Sequence, residues 1–220
     1  PSKRVVDSDG NDALFQNVRS SRSNDSHLDT EFIAKVPALG YAVYWLWHED
    51  SEFVEAPELQ SPVAADVLTI ENEYLRVTFD DKNGGKLPDC ECVRFCGISS
   101  LVSKEDGHEY VGGEFCVPAI FDNTKPDTWA HMIFRFHDEI AKPELASIEL
   151  VECGAARAVV RVKHVYNGSY LTQDFILAAG SKVIRVKCRI LWQEPLTILK
   201  MPVTVAGSDP ISTYEIPAGF

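Results

Sequence analysis

The sequence predicts an all-β protein, an antiparallel β-sandwich, from three observations. Apolar and polar residues alternate with period two in several separate segments, hairpin turn residues stand between those segments, and no long stretch carries a helical period. Such alternation belongs to antiparallel sheets with one solvated side, whereas strands buried on both faces of a parallel sheet read as continuous apolar runs. Each strand is therefore expected to have one wet face.

The segments follow in order. Residues 1–29 are polar, rich in Ser, Asp and Asn, with scattered apolar residues at Val5, Val6, Leu14, Phe15 and Val18; they read as a ragged terminus or the remnant of a strand pair. Phe32-Ile33-Ala34-Lys35-Val36 is strand-like, Pro37-Ala38-Leu39-Gly40 is a turn, and residues 41–47 are aromatic and β-branched, which predicts a hairpin. Trp45 and Trp47 within it are expected in the core. Between residues 50 and 62, Glu52, Glu55, Pro57, Glu58 and Pro62 break any period and mark a linker. A domain boundary is expected near residue 60.

Beyond it, Leu75, Val77 and Phe79 alternate with Arg76, Thr78 and Asp80. The same pattern recurs over residues 158–163 and 184–190. Turns are predicted at Lys82-Asn83-Gly84-Gly85, Asn167-Gly168-Ser169 and Ala179-Gly180-Ser181, and Asn-Gly between two apolar runs is a strong hairpin signal. Residues 138–151 hold Ile140, Ala141, Leu145, Ile148 and Leu150, but Pro143 interrupts them, so irregular structure leading into a strand is expected. The end, Ile216-Pro217-Ala218-Gly219-Phe220, reads as a turn with nothing after it.

Composition narrows the function classes. The 220 residues carry 21 Lys+Arg against 33 Asp+Glu, a formal charge of -12, with 45% hydrophobic residues. Affinity for nucleic acid or anionic lipid is driven largely by clustered cations, so neither partner is expected. No apolar run approaches the roughly 18–20 residues that span a bilayer, and no apolar signal core follows Pro1-Ser2-Lys3-Arg4. A cytoplasmic location, or a chain that begins mid-protein, is expected. Without a signal peptide, Asn24-Asp25-Ser26 and Asn167-Gly168-Ser169 read as chance matches to the glycosylation triplet.

Six cysteines, at 90, 92, 96, 116, 153 and 188, are expected as reduced thiols, because a chain of this size can bury a core without staples. Cys153 and Cys188 read as small buried hydrophobes. Cys90, Cys92 and Cys96 fall within seven residues, yet no second thiol or imidazole pair stands at zinc-site spacing. A local insertion with exposed or half-buried thiols is the expectation, and no metal ligand is assigned. Glycoside hydrolysis needs two carboxylates, but among 33 acidic residues spacing selects none. No catalytic residue is assigned. His48, His108, His137 and His164 read as ordinary surface or core histidines.

The most unusual segment is Asp127-Thr128-Trp129-Ala130-His131. If extended, it places Asp127, Trp129 and His131 on one face. An aromatic plate beside a carboxylate and an imidazole suits a sugar, whose C–H face packs on the ring while its hydroxyls take hydrogen bonds. A core Trp at a strand edge is the competing reading of the same residues.

Several motifs, in order, resemble the C-terminal β-domains of family-38 glycoside hydrolases, the α-mannosidases. They are Val36-Pro37-Ala38-Leu39-Gly40-Tyr41, Ile70-Glu71-Asn72-Glu73-Tyr74-Leu75-Arg76-Val77-Thr78-Phe79-Asp80 and Asn83-Gly84-Gly85. Ser99-Ser100-Leu101-Val102-Ser103-Lys104, Gly107-His108-Glu109-Tyr110, the Trp129 segment and Thr213-Tyr214-Glu215-Ile216-Pro217 complete the set. The resemblance runs from about residue 30 onward. It implies a large supersandwich resembling the galactose mutarotase-like fold over residues 61–220, truncated at its C-terminus, preceded over residues 1–60 by part of a small β-sandwich and the linker.

The resemblance also implies a retaining α-mannosidase whose nucleophilic Asp and Asp/His-bound zinc lie in a catalytic domain outside these residues. No cofactor is expected in this chain itself. Trp129 matches the position where the family sets an aromatic residue near bound mannose, with Asp127 and His131 beside it. Implied partners are an α-mannoside or mannose-containing oligosaccharide and the N-terminal catalytic and helical domains of the same polypeptide; a homo-oligomer is left open. Residues 86–98, with three Cys, depart from the family pattern. A stand-alone carbohydrate-binding sandwich is the alternative, and a mutarotase-like enzyme a third, although its acid/base His and Glu find no place here.

Overall fold

The computed structural model describes residues 1–19, 28–48, 50, 55, 57–80, 96–125, 129, 131 and 133–213. All regular elements among them are strands, and all pair antiparallel. No helix among them is long and apolar enough to cross a membrane. The predicted turn at 82–85, Cys90, Cys92, the triplet at 24–26 and most of the 213–217 motif lie outside the described residues.

Two four-stranded sheets make the sandwich. One runs β5 (Ala64–Ala65), β6 (Thr69–Glu71), β7 (Leu75–Asp80) and β8 (Gly97–Ser103). The other runs β12 (Glu144–Cys153), β13 (Arg157–Tyr166), β14 (Ser169–Ala178) and β15 (Ile184–Leu191). Period two decides what each sheet turns inward: Leu75, Val77 and Phe79 from β7 meet Val160, Val162, Phe175 and Leu177 in one buried cluster. Phe79 and Phe175 join the layers, with tilted rings 4.9 Å apart.

The Asn167-Gly168 hairpin forms as the sequence predicts. Tyr166 pairs with Ser169, and Asn167 takes the left-handed conformation, at φ 48°, that Asn tolerates better than most residues. Gly180, at φ 67°, closes the β14–β15 turn.

The expectation of one wet face fails on the central strands. Thr172 and Asp174 lie on the outer face of β14 yet are buried. Arg161 reaches across from β13 to hold both Asp174 oxygens, at 2.6 and 3.1 Å, and Arg189 from β15 adds a bond of 3.0 Å. Long guanidinium side chains lying over a central strand dry it without apolar cover.

Four smaller sheets accompany the sandwich, two of them formed by the N-terminal strands. Strand β10 (Ala119–Asp122) lies between β11 (Glu139–Ala141) and β16 (Thr197–Lys200), and β9 (Val111–Phe115) pairs with β17 (Val203–Val205). Residues 138–151 thus form two strands with Pro143 at the break, which corrects the irregular reading: Pro ends one ladder without preventing the next. Gly112 sits where a Cβ would lie 2.5 Å from the Val205 carbonyl oxygen. Gly112→Ala is expected to cost about 1–3 kcal/mol in a denaturant titration, because backbone cannot swing aside as a side chain can.

At the N-terminus β1 (Ser2–Asp7) pairs with β4 (Tyr44–His48), and β2 (Phe15–Arg19) with β3 (Leu28–Phe32). The predicted hairpin over 32–47 is therefore wrong. Its turn exists, with Gly40 N–H bonded to the Pro37 carbonyl at 3.1 Å, but the strands on either side take partners distant in sequence. Gln16 ties this region to the sandwich, its Oε1 accepting from the N–H groups of Ala156 and Arg157 at 3.1 and 2.9 Å.

The expected burial of five side chains is also corrected. Trp45 and Trp47 are 48% and 42% exposed, because the two-stranded β1–β4 sheet has too little opposite them to bury both rings. Cys153 ends β12 and is exposed, while Cys188 is half-buried. Cys96, expected in an exposed or half-buried insertion, is fully buried in the sandwich core. Cys116, Cys153 and Cys188 are free thiols.

Near the Asn167 end of the sandwich the core turns polar. His164 is fully buried, and its Nε2 accepts the Cys96 N–H at 3.2 Å. Gln173, also buried, donates to the Cys116 carbonyl at 2.9 Å. Among the described residues, His164 Nδ1 and Gln173 Oε1 find no hydrogen-bond partner of good geometry.

Candidate functional site

The Trp129 segment lies in the connection between β10 and β11. Ile120, fully buried, is held by Ala141 on one side and Leu199 on the other, which fixes the strand ends from which the connection leaves. Two backbone bonds close its base: Asp122 N–H to the Asp138 carbonyl and Asn123 N–H to the Leu196 carbonyl, both 2.9 Å.

Side chains reinforce the closure. Asp122 accepts from Thr124 N–H and Oγ1, each at 3.0 Å. Lys125 Nζ lies 2.5 Å from Asp138, and His137 Nε2 lies 3.4 Å from the same carboxylate. The hydrogen bond from Lys125 holds the Asp138 carboxyl below its ordinary range and raises the Lys125 ammonium in turn. Lys200 Nζ stands 4.5 Å from the centre of the Phe121 ring and donates to the Phe136 carbonyl. Between these groups lies a cavity of about 270 Å³ lined by Asp122, Lys125, Ile133, Phe136 and Asp138 among others.

Trp129 and His131 stand on the connection above this base in sequence. Trp129 is 80% exposed and His131 is exposed. Both stand in turns, so the shared face expected of an extended segment does not describe them. Asp127 lies outside the described residues. At 80% exposure Trp129 does not fit the competing core reading. Phe134, 92% exposed on the same connection, was not singled out by sequence, because one Phe in an irregular stretch has no period to betray its exposure.

Among the described residues no group of three or more His, Cys, Asp or Glu side chains converges where a metal ion could sit. The zinc that the resemblance implies belongs to a catalytic domain outside these residues, and no metal-dependent step is assigned to them.

No curated protein matches the chain closely enough to stand as a named relative. The family model for the glycosyl hydrolases family 38 C-terminal domain matches residues 70–220. That span covers both four-stranded sheets from β6 onward, the β10–β11 connection and its Trp129, but not the 36–41 motif. With more than half its length matched by this model, and with an all-β antiparallel architecture that agrees, the chain belongs to glycosyl hydrolase family 38 through its C-terminal domain.

Proposed function

We propose that this chain is an accessory β-region of a retaining α-mannosidase, which helps shape the sugar pocket and buttresses the catalytic domain. The observation that carries the reading is Trp129: a large aromatic held almost entirely in solvent on a connection whose base is closed by backbone and ionic bonds. Leaving an indole exposed forgoes roughly 2–3 kcal/mol of burial, which a sugar ring packed on it would recover in part. His131 stands two residues away and would take sugar hydroxyls, as would Asp127.

Nucleophile, acid/base carboxylate and zinc come, in this reading, from the N-terminal catalytic domain of the same polypeptide. Residues 1–60 belong to a small sandwich that faces the rest of that enzyme. Support comes from the half-exposed Trp45 and Trp47, two apart on β4 and so on one face, since paired exposed indoles are usual at surfaces that other domains cover. The substrate is an α-mannoside or a mannose-containing oligosaccharide.

The test is Trp129→Ala in the longer polypeptide. About a tenfold fall in kcat/KM for an aryl α-mannoside is expected, the worth of one aromatic stack on the sugar. An unchanged kcat/KM removes Trp129 from the pocket.

A further inference from the structure

A second cleft, of about 400 Å³, opens at the end of the sandwich opposite the Asn167 turn. Its residues come from four separate segments: Tyr74 and Leu75, then Leu101 to Glu105, then Tyr110, then Lys182 to Ile184. It shares no residue with the Trp129 connection. The floor is apolar, since Leu75 and Leu101 belong to the buried core and Ile184 packs on it.

Two tyrosines line the walls, and both are fixed through their backbones. Tyr74 N–H donates to Asn72 Oδ1 at 2.9 Å, and the Tyr74 carbonyl accepts from Lys104 at 2.7 Å. Tyr110 N–H donates to the Leu101 carbonyl at 2.9 Å, and its own carbonyl accepts from Ala206 at 2.8 Å. The His108 ring meets Tyr110 edge-on, with centroids 4.7 Å apart. The rim is polar. Lys182 Nζ lies 4.9 Å from the centre of the Tyr74 ring and bonds both Glu105 oxygens, at 2.6 and 2.8 Å, joining the β14–β15 turn to the turn after β8. Ser103 completes the polar side of the lining.

We infer that this cleft binds the ring of a neutral pyranoside as a second saccharide site, separate from the pocket assigned to Trp129. The chemistry selects the ligand class. An alkyl chain would cover Glu105 and Lys182 without replacing their water, which costs more than apolar contact returns. A small anion would satisfy Lys182 but leave the floor of Leu75, Leu101 and Ile184 wet. A pyranose carries both surfaces: its C–H face packs on phenol rings and its hydroxyls bond to carboxylate, ammonium and hydroxyl groups. The volume lies in the lower part of the range of ligand pockets, about 300–1,000 Å³. Walls fixed in advance reduce the ordering cost of binding.

Saturation-transfer NMR on the 220-residue chain with methyl pyranosides at millimolar concentration tests the site. Transfer to ring C–H protons is expected, with Tyr110→Ala weakening binding about tenfold, the worth of one aromatic stack. Tyr110→Phe keeps the ring and is expected to bind as the unaltered chain does. Tyr110 is 40% exposed, so its truncation leaves the core closed; Lys182→Met, on an exposed turn, is a second variant expected to weaken binding. Trp129→Ala removes only the transfer that arises on the β10–β11 connection, so Tyr110→Ala is expected to cause the same loss in that background. Absence of transfer to every pyranoside, or equal binding by Tyr110→Ala, overturns the inference. Loss in Trp129→Ala alone also overturns it while favouring the pocket on the β10–β11 connection.

Discussion

Replacing Asn72 with alanine is expected to remove roughly 3–4 kcal/mol of stability, more than any single apolar truncation on the surface could. Asn72 is buried in the turn between β6 and β7, and its amide is used at both ends. Oδ1 accepts from the N–H groups of Tyr74 and Leu75, each at 2.9 Å, so it shapes its own turn. Nδ2 donates to the carbonyls of Ala178 and Ser181, at 2.7 and 2.8 Å, so it also fastens that turn to the β14–β15 turn of the opposite sheet.

One side chain thus joins the two layers at this end of the sandwich. Alanine orphans two donors and two acceptors, each costing about 1–3 kcal/mol where water cannot reach it, offset by local relaxation. Asn72→Asp keeps the acceptor but turns a carboxylate toward two carbonyls, and is expected to do no better. Denaturant titration of both variants should show a lowered midpoint at unchanged slope. A loss below about 1 kcal/mol in Asn72→Ala would mean that these bonds add little to the fold.

A steep loss of stability is also expected in mild acid, with His164 as its source. Burial pushes the imidazole from 6.5 down to about 4. In the unfolded chain the same ring takes up its proton near 6.5, so between 6.5 and about 4 the unfolded state binds more protons and gains on the folded one. The stabilising effect of a neutral buried ring is complete above 6.5 and lost as pH falls through that window, by roughly 3 kcal/mol at its lower end. Asp7, Asp106, Asp138 and Glu194, held below the ordinary carboxylate range by hydrogen bonds, add their loss only at lower pH.

Equilibrium unfolding across the window checks this. His164→Asn should be less stable than the parent at neutral pH, because Cys96 N–H loses its partner, yet show a much flatter slope in acid. Equal slopes in the two proteins would place the acid sensitivity elsewhere.

Both effects show what local pattern can and cannot reveal. The alternation of Leu75, Val77 and Phe79 and of residues 158–163 was legible because a strand of an antiparallel sheet repeats the same inside-outside choice along its length. Asn167-Gly168 was legible because few dipeptides suit a two-residue turn. The pairing of β4 with β1 was not, since nothing within residues 32–47 records which distant strand will lie beside them. Cys96 was misjudged because its neighbours Cys90 and Cys92 suggested an exposed insertion, whereas it begins the entry into β8.

The site followed the same division. Trp129 stood out by its flanking Asp and His, but the base of its connection is closed by Asp138, Leu196 and Lys200, which sequence does not bring together. The tyrosine cleft gave no signal at all. Its residues converge because Asn72 and Lys182 fasten turns of one sheet to the β14–β15 turn of the other.

The most direct measurement is hydrolysis of an aryl α-mannoside, with zinc supplied, by this 220-residue chain beside a longer polypeptide from the same coding sequence. Activity in the longer polypeptide and none in the 220 residues is the expected result, with catalysis supplied from outside this chain. Turnover by the 220 residues alone would contradict it and return the nucleophile to the acidic side chains described here.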